Sequence, residues 1–180
     1  MKKRKTWLAA LICILVLTLL CGLVYPLIMT AASQLIFPEQ ANGSVLTVTK
    51  DGKTQTVGSA LIGQSWTEPK YLIGRPNSGA PTNQSAVSEE QKQTVAEYVK
   101  WWNEFDPETR GEDIPEDLLT ASGSGVDPEI SPKAAEFQVE RIARVRKIPE
   151  SSVRKLIDKY TTGKTFGILG ENRVNVLLVN

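Results

Sequence analysis

The chain has 180 residues, with 21 Lys or Arg, 20 Asp or Glu and no histidine, so a Ser-His-Asp triad and a histidine zinc site are excluded. Its two cysteines, Cys13 and Cys21, lie in one apolar run, which leaves the rest of the chain without a thiol nucleophile. Four of the basic residues occupy positions 2–5. The rest of the chain has 17 basic and 20 acidic residues, so it is slightly acidic, which argues against a nucleic-acid partner.

The first predicted element is a transmembrane helix. Positions 6–38 carry no charged side chain, and Trp7 to Met29 form an apolar core of 23 residues. At about 1.5 Å per residue this core reaches about 35 Å, enough to cross a hydrocarbon layer about 30 Å thick. The basic residues at 2–5 then predict a cytoplasmic N-terminus and an external C-terminal domain. The predicted organisation is a cytoplasmic N-terminus over 1–6, a transmembrane helix over 7–32 and an extracytoplasmic domain over 33–180.

Two other interpretations of the apolar run are weaker. A cleaved signal peptide has a shorter apolar core, although Thr30-Ala31-Ala32 resembles a weak cleavage site. A lipoprotein anchor at Cys21 requires a small residue before the cysteine, and Leu20 stands there instead.

Small residues near the outer end of the helix are candidates for helix–helix packing. Thr18, Cys21 and Gly22 could let a neighbouring helix approach closely, and Pro26 is expected to kink the helix.

Three predicted segments follow. The alternation in 45–57 on either side of Asp51-Gly52 predicts a β-hairpin. The apolar and aromatic run 58–71 predicts a strand followed by a turn. Residues 74–86 are rich in Gly and Pro and predict a loop.

A helix is predicted to begin at Ser88, because Ser88 and Gln91 have the spacing of a capping box. Its apolar stripe is expected to pack on the core, and the Trp101-Trp102 pair suggests an interface. The stripe follows the spacing i, i+3, i+4 and i+7 and consists of Val95, Tyr98, Val99 and Trp102.

The C-terminal third predicts two helices and a strand. Ser131-Pro132 is a favourable start for a helix that runs to about Lys147, and a shorter helix is expected after Pro149. Residues 173–179 predict a terminal strand. The apolar face of the first helix holds Ala135, Val139, Ile142 and Ala143, and that of the second holds Val153, Leu156, Ile157 and Tyr160.

The segment Ser122-Gly123-Ser124-Gly125 is a candidate functional loop. Its glycines allow close backbone approach and its N–H groups could be free donors, although a plain tight connection explains it equally well. Asp127 follows, and then Gln138, Arg141 and Arg144 on the predicted helix. These three are either a solvated face or part of a functional site.

One apparent phosphate-binding motif is rejected. Gly163-Lys164-Thr165 matches the end of a P-loop, but Asp158 stands where that motif needs its first glycine, and the stretch follows a helix instead of a strand.

Four segments carry a likeness to a known family: 58–64 (GSALIGQ), 71–76 (YLIGRP), 117–144 and 170–177 (GENRVNVL). In this order, and behind one charged N-terminal membrane helix, they resemble the C subunit of the Kdp potassium-transporting ATPase. One departure is in 77–83, where many members have a Gly-Gly-Ser-Asn-Leu stretch and this chain has NSGAPTN.

The resemblance implies a non-catalytic accessory subunit of a bacterial cell-membrane complex, with a single α+β domain after the membrane helix. A channel-like subunit selects K⁺, a P-type ATPase subunit hydrolyses ATP, and a small peptide subunit stabilises them. ATP and K⁺ are therefore expected on the partner subunits, and neither a metal nor a cofactor is expected here. The candidate partner-contact or functional residues are Gly74, Arg75, Pro76, Ser122, Gly123, Ser124, Gly125, Asp127, Gln138, Arg141 and Arg144.

The family role implied is a catalytic chaperone that raises the ATP affinity of the ATPase subunit. The predicted topology separates the outer domain from cytoplasmic ATP by about 30 Å of hydrocarbon, so an indirect effect through the complex is expected. The alternative is a direct nucleotide-binding regulator with a cytoplasmic domain. A cell-surface enzyme is disfavoured, because neither a histidine nor a paired-carboxylate motif supports it.

Overall fold

The computed structural model describes residues 2–109, 111 and 113–180, with the side chains described from Lys5 onward. Two compact units result, one that ends at Val45 and one that runs from Leu46 to Asn180. Helices combine with two small antiparallel sheets, which confirms the α+β class.

The N-terminal unit is dominated by one long helical segment. It comprises α1 (Lys2–Leu19), a π-helical turn (Leu20–Val24) and α2 (Tyr25–Ile36). Within the described residues, one stretch, Lys5–Ile36, is long and apolar enough to cross a membrane, and its apolar window buries no side chain inside the protein.

The π-turn lies directly before Pro26 and contains Cys21 and Gly22. The N–H of Tyr25 donates to the carbonyl of Leu20, five residues earlier. Pro26 has no N–H to donate to Gly22, four residues earlier, so the regular helical ladder is interrupted at this point. Where the sequence predicts a kink at Pro26, the structure has a π-turn in the preceding residues.

The predicted hairpin is confirmed. After a short helix α3 (Pro38–Ala41), strands β1 (Val45–Lys50) and β2 (Lys53–Ser59) pair through a two-residue turn. Asp51 and Gly52 have φ of 52° and 74°, the positive values that this tight turn requires.

The strand expected in 58–71 is wrong, because β2 ends at Ser59 and no regular element begins before α4 (Glu89–Phe105). Gly63 and Pro69 interrupt the run, and Gly63 bonds to a distant loop instead of a neighbouring strand. The predicted loop over 74–86 and the cap at Ser88 are confirmed, since Ser88 Oγ accepts from the N–H of Gln91 at 3.1 Å.

The single helix expected over 131–147 is wrong; it is two helices, α5 (Pro132–Glu136) and α6 (Val139–Arg146). In a continuous α-helix, the backbone N–H of Gln138 would donate to Ala134 O. At the break this N–H donates to Ala135 O instead, and the side-chain Nε2 of Gln138 donates to Ala134 O. A left-handed Lys147, at φ 57°, ends α6.

The strand expected over 173–179 is shorter than predicted. Strand β5 (Arg173–Asn175) lies between β3 (Glu129–Ile130) and β4 (Thr161–Thr162), and both neighbours are antiparallel to it. Asn175 then caps a short helix α8 (Val176–Val179) by accepting from the N–H of Leu178, so the chain leaves the sheet.

The core packs α4, α5, α6 and the predicted helix α7 (Glu150–Lys159) against β3 and β5. The predicted stripe of α4 contributes only Trp102 to the buried core, because Val95, Tyr98 and Val99 are half-buried. In the predicted stripe of α7, Leu156 is exposed, with 42% of its surface accessible to solvent. The fully buried apolar side chains include Leu72, Trp102, Leu118, Ala134, Ala135, Val139 and Val174.

Candidate functional site

Four segments that are far apart in the sequence meet in the C-terminal unit, and we call their meeting point the loop junction. Each contains part of one of the quoted motifs. The segments are 58–64, 71–80, 122–128 and 175–180.

Gly63 joins three of these segments. Its N–H donates to Val126 O at 2.7 Å, and its carbonyl accepts from Asn77 Nδ2 at 2.9 Å. A Cβ at position 63 would lie 2.5 Å from the carbonyl oxygen of Asp127. The position therefore requires glycine because another backbone occupies the space of a side chain.

Gly125 makes the second close approach. Its carbonyl accepts from the N–H groups of Ser78 and Gly79 at 3.1 and 3.3 Å. Its φ is +73°, and a Cβ there would lie 2.1 Å from Ala80 O. Close backbone approach, one of the two properties expected of the Ser122–Gly125 loop, is thus confirmed.

The other expected property, free N–H donors, is wrong for the end of this loop. Ser122 Oγ accepts from the N–H groups of Gly125 and Asp127 at 3.0 and 3.3 Å, and Asp127 Oδ1 accepts from Glu129 N at 2.9 Å. These polar groups hold the loop in shape, so they are not available as an anion-binding nest.

The C-terminal residues complete the loop junction. Asn175 Nδ2 donates to Ala60 O at 2.8 Å, and the N–H of Val176 donates to Pro128 O at 3.0 Å. Asn180 pairs with Leu72 through both atoms of its amide, at 2.8 Å for Leu72 N and 3.0 Å for Leu72 O.

Asn180→Ala is expected to lower the free energy of unfolding by about 1–3 kcal/mol, because the buried N–H and C=O of Leu72 both lose their partner. Urea unfolding of the full chain measures the change, and Asn172→Ala, at an exposed position, is the control. Equal midpoints for the two variants would show that the amide pair does not stabilise the fold.

Gln138 and Arg141 do not belong to a solvated face, because 0% and 1% of their surfaces are exposed. Gln138 pairs with Ile73 as Asn180 does with Leu72: its Oε1 accepts from Ile73 N at 2.8 Å and its Nε2 donates to Ile73 O at 2.9 Å. Two side-chain amides thus hold consecutive residues of segment 71–80.

Arg141 is a buried cation, the one such group among the described residues of the C-terminal unit. Its guanidinium donates to Pro69 O, to Tyr71 O at 3.1 Å and to Gln138 Oε1 at 2.6 Å. Its Nε lies 3.7 Å from Asp106 Oδ2, within ion-pair distance. Burial lowers the pKa of Arg141 to about 10, and the attraction of Asp106 acts against that shift, so the group stays charged at neutral pH.

Asp106 is a residue that the sequence did not single out. Asp106 is 1% exposed and lies between Arg141 and Arg144. The NH2 group of Arg144 donates to Asp106 Oδ1 at 2.8 Å. Arg144 also pairs with Glu108 and keeps 37% of its side chain exposed. The ion-pair network is therefore buried at Asp106 and Arg141 and reaches the surface at Arg144 and Glu108.

Gly74-Arg75-Pro76 lies at the edge of the loop junction. Arg75 NH2 donates to Thr120 Oγ1 at 3.2 Å, and its NH1 lies 3.6 Å from Asp117 Oδ1. The other oxygen of Asp117 accepts from Ser131 N at 2.6 Å. Arg75 therefore connects the 71–80 segment with the start of α5.

Arg75 also lines a cavity of about 260 Å³, which we call the aromatic cavity. Its walls include four aromatic side chains, Trp66, Tyr98, Trp101 and Trp102. Trp66 and the cavity itself were missed in the sequence. The Trp101-Trp102 pair was the available signal, because tryptophan is enriched at interfaces, although Trp102 is buried in the core.

The membrane-helix candidates Thr18, Cys21, Gly22 and Pro26 are all exposed within the N-terminal unit. Within residues 2–109, 111 and 113–180, no three Cys, Asp or Glu side chains form a group that could hold a metal ion.

Comparisons with known proteins agree with the quoted motifs. A family model described as K⁺-transporting ATPase, c chain, matches residues 7–180. The potassium-transporting ATPase KdpC subunit of Listeria monocytogenes serotype 4a (strain HCC23) is 49% identical over 176 residues, 97% of this chain and 92% of that protein. The subunit of the same name from Clostridium perfringens (strain ATCC 13124) is 43% identical over 187 residues, 95% of this chain and 92% of that protein. The chain therefore belongs to the KdpC family, the c chain of the K⁺-transporting ATPase.

Proposed function

We propose that the chain is a non-catalytic accessory subunit of an ATP-driven, high-affinity K⁺ import complex and that it supports assembly and ATPase activity. One observation carries this proposal: the segments that bear the family likeness bond to one another at the loop junction. Their polar groups build a stiff scaffold, and a stiff scaffold suits a subunit that holds partners in place.

The proposed partners are a channel-like K⁺-binding subunit, a P-type ATPase subunit and a small stabilising peptide subunit. The apolar surface of Lys5–Ile36 offers a contact to partner helices inside the membrane, and Cys21 and Gly22, in the π-turn at Leu20–Val24, are exposed on it. The C-terminal unit is proposed to cover the external mouth of the channel-like subunit.

The proposed orientation has the N-terminus in the cytoplasm and the C-terminal unit outside. Basic residues at 2–5 precede the membrane helix, and such residues are retained on the cytoplasmic side. ATP is then on the other side of the membrane, so any effect on ATP use is indirect and passes through contacts between subunits.

Single-cysteine labelling tests this orientation. In a chain with Cys13→Ala and Cys21→Ala, Ser124→Cys is expected to react with a membrane-impermeant maleimide in intact cells, because Ser124 is exposed. The matched variant Lys3→Cys is expected to react only after permeabilisation. If Lys3→Cys reacts in intact cells and Ser124→Cys reacts only after permeabilisation, the proposed orientation is wrong. That result favours a direct nucleotide-binding regulator, and a photoreactive ATP analogue would then be expected to label this chain.

Co-purification through a tag on this chain tests the proposed role. The channel-like and ATPase subunits are expected to accompany it, and a cross-linker at Ser124→Cys is expected to capture the channel-like subunit. Exclusive capture of cytoplasmic ATPase domains contradicts the proposed placement.

A further inference from the structure

The connection between β4 and β5 is a loop in which every residue from 163 to 172 is exposed. Thr165 and Leu169 pair across it: the N–H of Thr165 donates to Leu169 O at 2.8 Å, and the N–H of Leu169 donates to Thr165 O at 3.0 Å. Phe166, Gly167 and Ile168 lie between them at the end of the loop. We call residues 165–169 the apolar tip.

The large side chains of the apolar tip contribute nothing to the core of the C-terminal unit. Phe166 is 90% exposed and Ile168 is 80% exposed, and no other large apolar side chain among the described residues is as exposed as Phe166. Single exposed apolar residues are common on protein surfaces, whereas a contiguous group of them marks a site of interaction with a protein or a membrane.

The backbone of the apolar tip holds Phe166 in a conformation that its side chain disfavours. The φ angles of Phe166 and Gly167 are 54° and 75°, the left-handed values of a tight turn. Glycine and asparagine adopt such values readily, whereas a bulky residue does so at a cost in energy. Phe166 gains no packing inside the chain that would offset this cost. An aromatic ring at this position therefore indicates a contact outside the chain.

The charges around the apolar tip are complementary to an anionic lipid surface. Residues 159–170 include Lys159 and Lys164 and contain no Asp or Glu, although the chain after position 5 has 17 basic and 20 acidic residues. Lys164 is exposed and directly precedes the tip. Aromatic and aliphatic side chains beside lysine are typical of segments in the membrane interface, where the ammonium group lies near lipid phosphates.

The chain itself keeps the C-terminal unit near a bilayer. The stretch that could cross a membrane ends at Ile36, and the C-terminal unit begins at Leu46. A fully extended connection of this length spans at most about 35 Å, since each residue adds about 3.3–3.6 Å. Lipid is thus present at a high effective concentration, and a loop with a few apolar side chains can bind to it.

We propose that the apolar tip inserts into the interface of the lipid bilayer, with Phe166 and Ile168 below the headgroups and Lys164 at the phosphates. This contact gives the C-terminal unit a second attachment to the membrane, in addition to the helix. The inference depends on neither the side of the membrane nor the proposed partner subunits. Its failure would therefore leave the proposed function standing, which co-purification tests separately.

The test uses the full chain with Cys13→Ala and Cys21→Ala, reconstituted alone in vesicles of three parts phosphatidylcholine to one part phosphatidylglycerol. An environment-sensitive fluorophore is attached at Ile168→Cys, and lipids with a nitroxide high on the acyl chain act as quenchers. We expect strong quenching at Ile168→Cys and little at Asn172→Cys. Asn172 is the matched control because it is exposed at the base of the loop, where a Cβ at Gly163 would lie 3.9 Å from its Oδ1.

Phe166→Asn removes the ring and keeps the turn, because asparagine tolerates a left-handed φ. In the chain labelled at position 168, it is expected to lower the ratio of inserted to free tip about tenfold. The midpoint of urea unfolding in detergent is expected to stay the same or to rise, whereas a structural role for Phe166 would lower it. Lys164→Gln is expected to lower the ratio about fivefold in these vesicles and to have no effect in pure phosphatidylcholine.

Four results would overturn the inference. Equal quenching at positions 168 and 172 would mean that the unit only lies near the membrane, and quenching that Phe166→Asn leaves unchanged would exclude the ring as an anchor. Shielding of position 168 from an aqueous quencher only when partner subunits are reconstituted with the chain would assign the tip to a protein partner. Shielding that increases with the protein-to-lipid ratio would assign it to a second copy of the chain.

Discussion

Arg141→Met is expected to lower the free energy of unfolding of the C-terminal unit by about 3–5 kcal/mol. The substitution keeps an apolar stem and removes the guanidinium that donates to the carbonyls of Pro69 and Tyr71. It also leaves Asp106, which is 1% exposed, with Arg144 as its ion-pair partner among the residues that the structure describes. Breaking a buried pair from one side is costly because the other charge stays buried without full compensation.

Urea unfolding of the full chain, followed by tryptophan fluorescence, measures this change, because Trp102 packs close to Arg141. Arg154→Met is the matched control: Arg154 pairs with Glu136 and Glu150 at the surface, where water screens the charges, and the unfolding midpoint is expected to shift little. Comparable midpoint shifts for the two variants would mean that the Arg141 network is not the main support of this fold.

Gly125→Ala is the second substitution with a large expected effect. The left-handed φ of +73° alone costs an alanine about 1–2 kcal/mol. The new Cβ would also lie 2.1 Å from Ala80 O, so the 78–80 backbone has to move and its bonds to the carbonyl of Gly125 are expected to break. We expect a lower unfolding midpoint and reduced recovery of partner subunits in co-purification.

Gly123→Ala, two residues earlier, is the control for this prediction. A Cβ at position 123 meets nothing within 4 Å and its φ is not positive, so stability and co-purification are expected to stay unchanged. Two variants that behave alike would refute the claim that close backbone contact at Gly125 holds the loop junction together.

The features predicted correctly from the sequence are those with a local cause. The N-terminal helix follows from one uninterrupted apolar run. The Asp51-Gly52 turn and the Ser88 cap each depend on residues within one or two turns of backbone. The resemblance to the KdpC family was also recognised from the sequence, because it depends on the order of residues along the chain.

Three of the departures from prediction share one physical reason: tertiary contacts outweighed local preference. Residues 58–71 have strand-like composition, yet Gly63 bonds to Val126 in a distant loop. The helix expected from Ser131 breaks because Gln138 bonds to Ile73, 65 residues away. Arg141 looked like a surface residue by its spacing, yet carbonyls of residues 69 and 71 enclose it.

The long apolar N-terminal helix, the α+β class and the set of candidate segments were therefore decided along the sequence. There a continuous apolar run, and periodicity, capping and turn chemistry that act over a few residues, are sufficient. The tertiary structure decided three further features: the meeting of those segments at the loop junction, the burial of Gln138 and Arg141, and the aromatic cavity. Each of these depends on polar groups that find partners far along the chain, and a buried polar group is stable only once such a partner is in place.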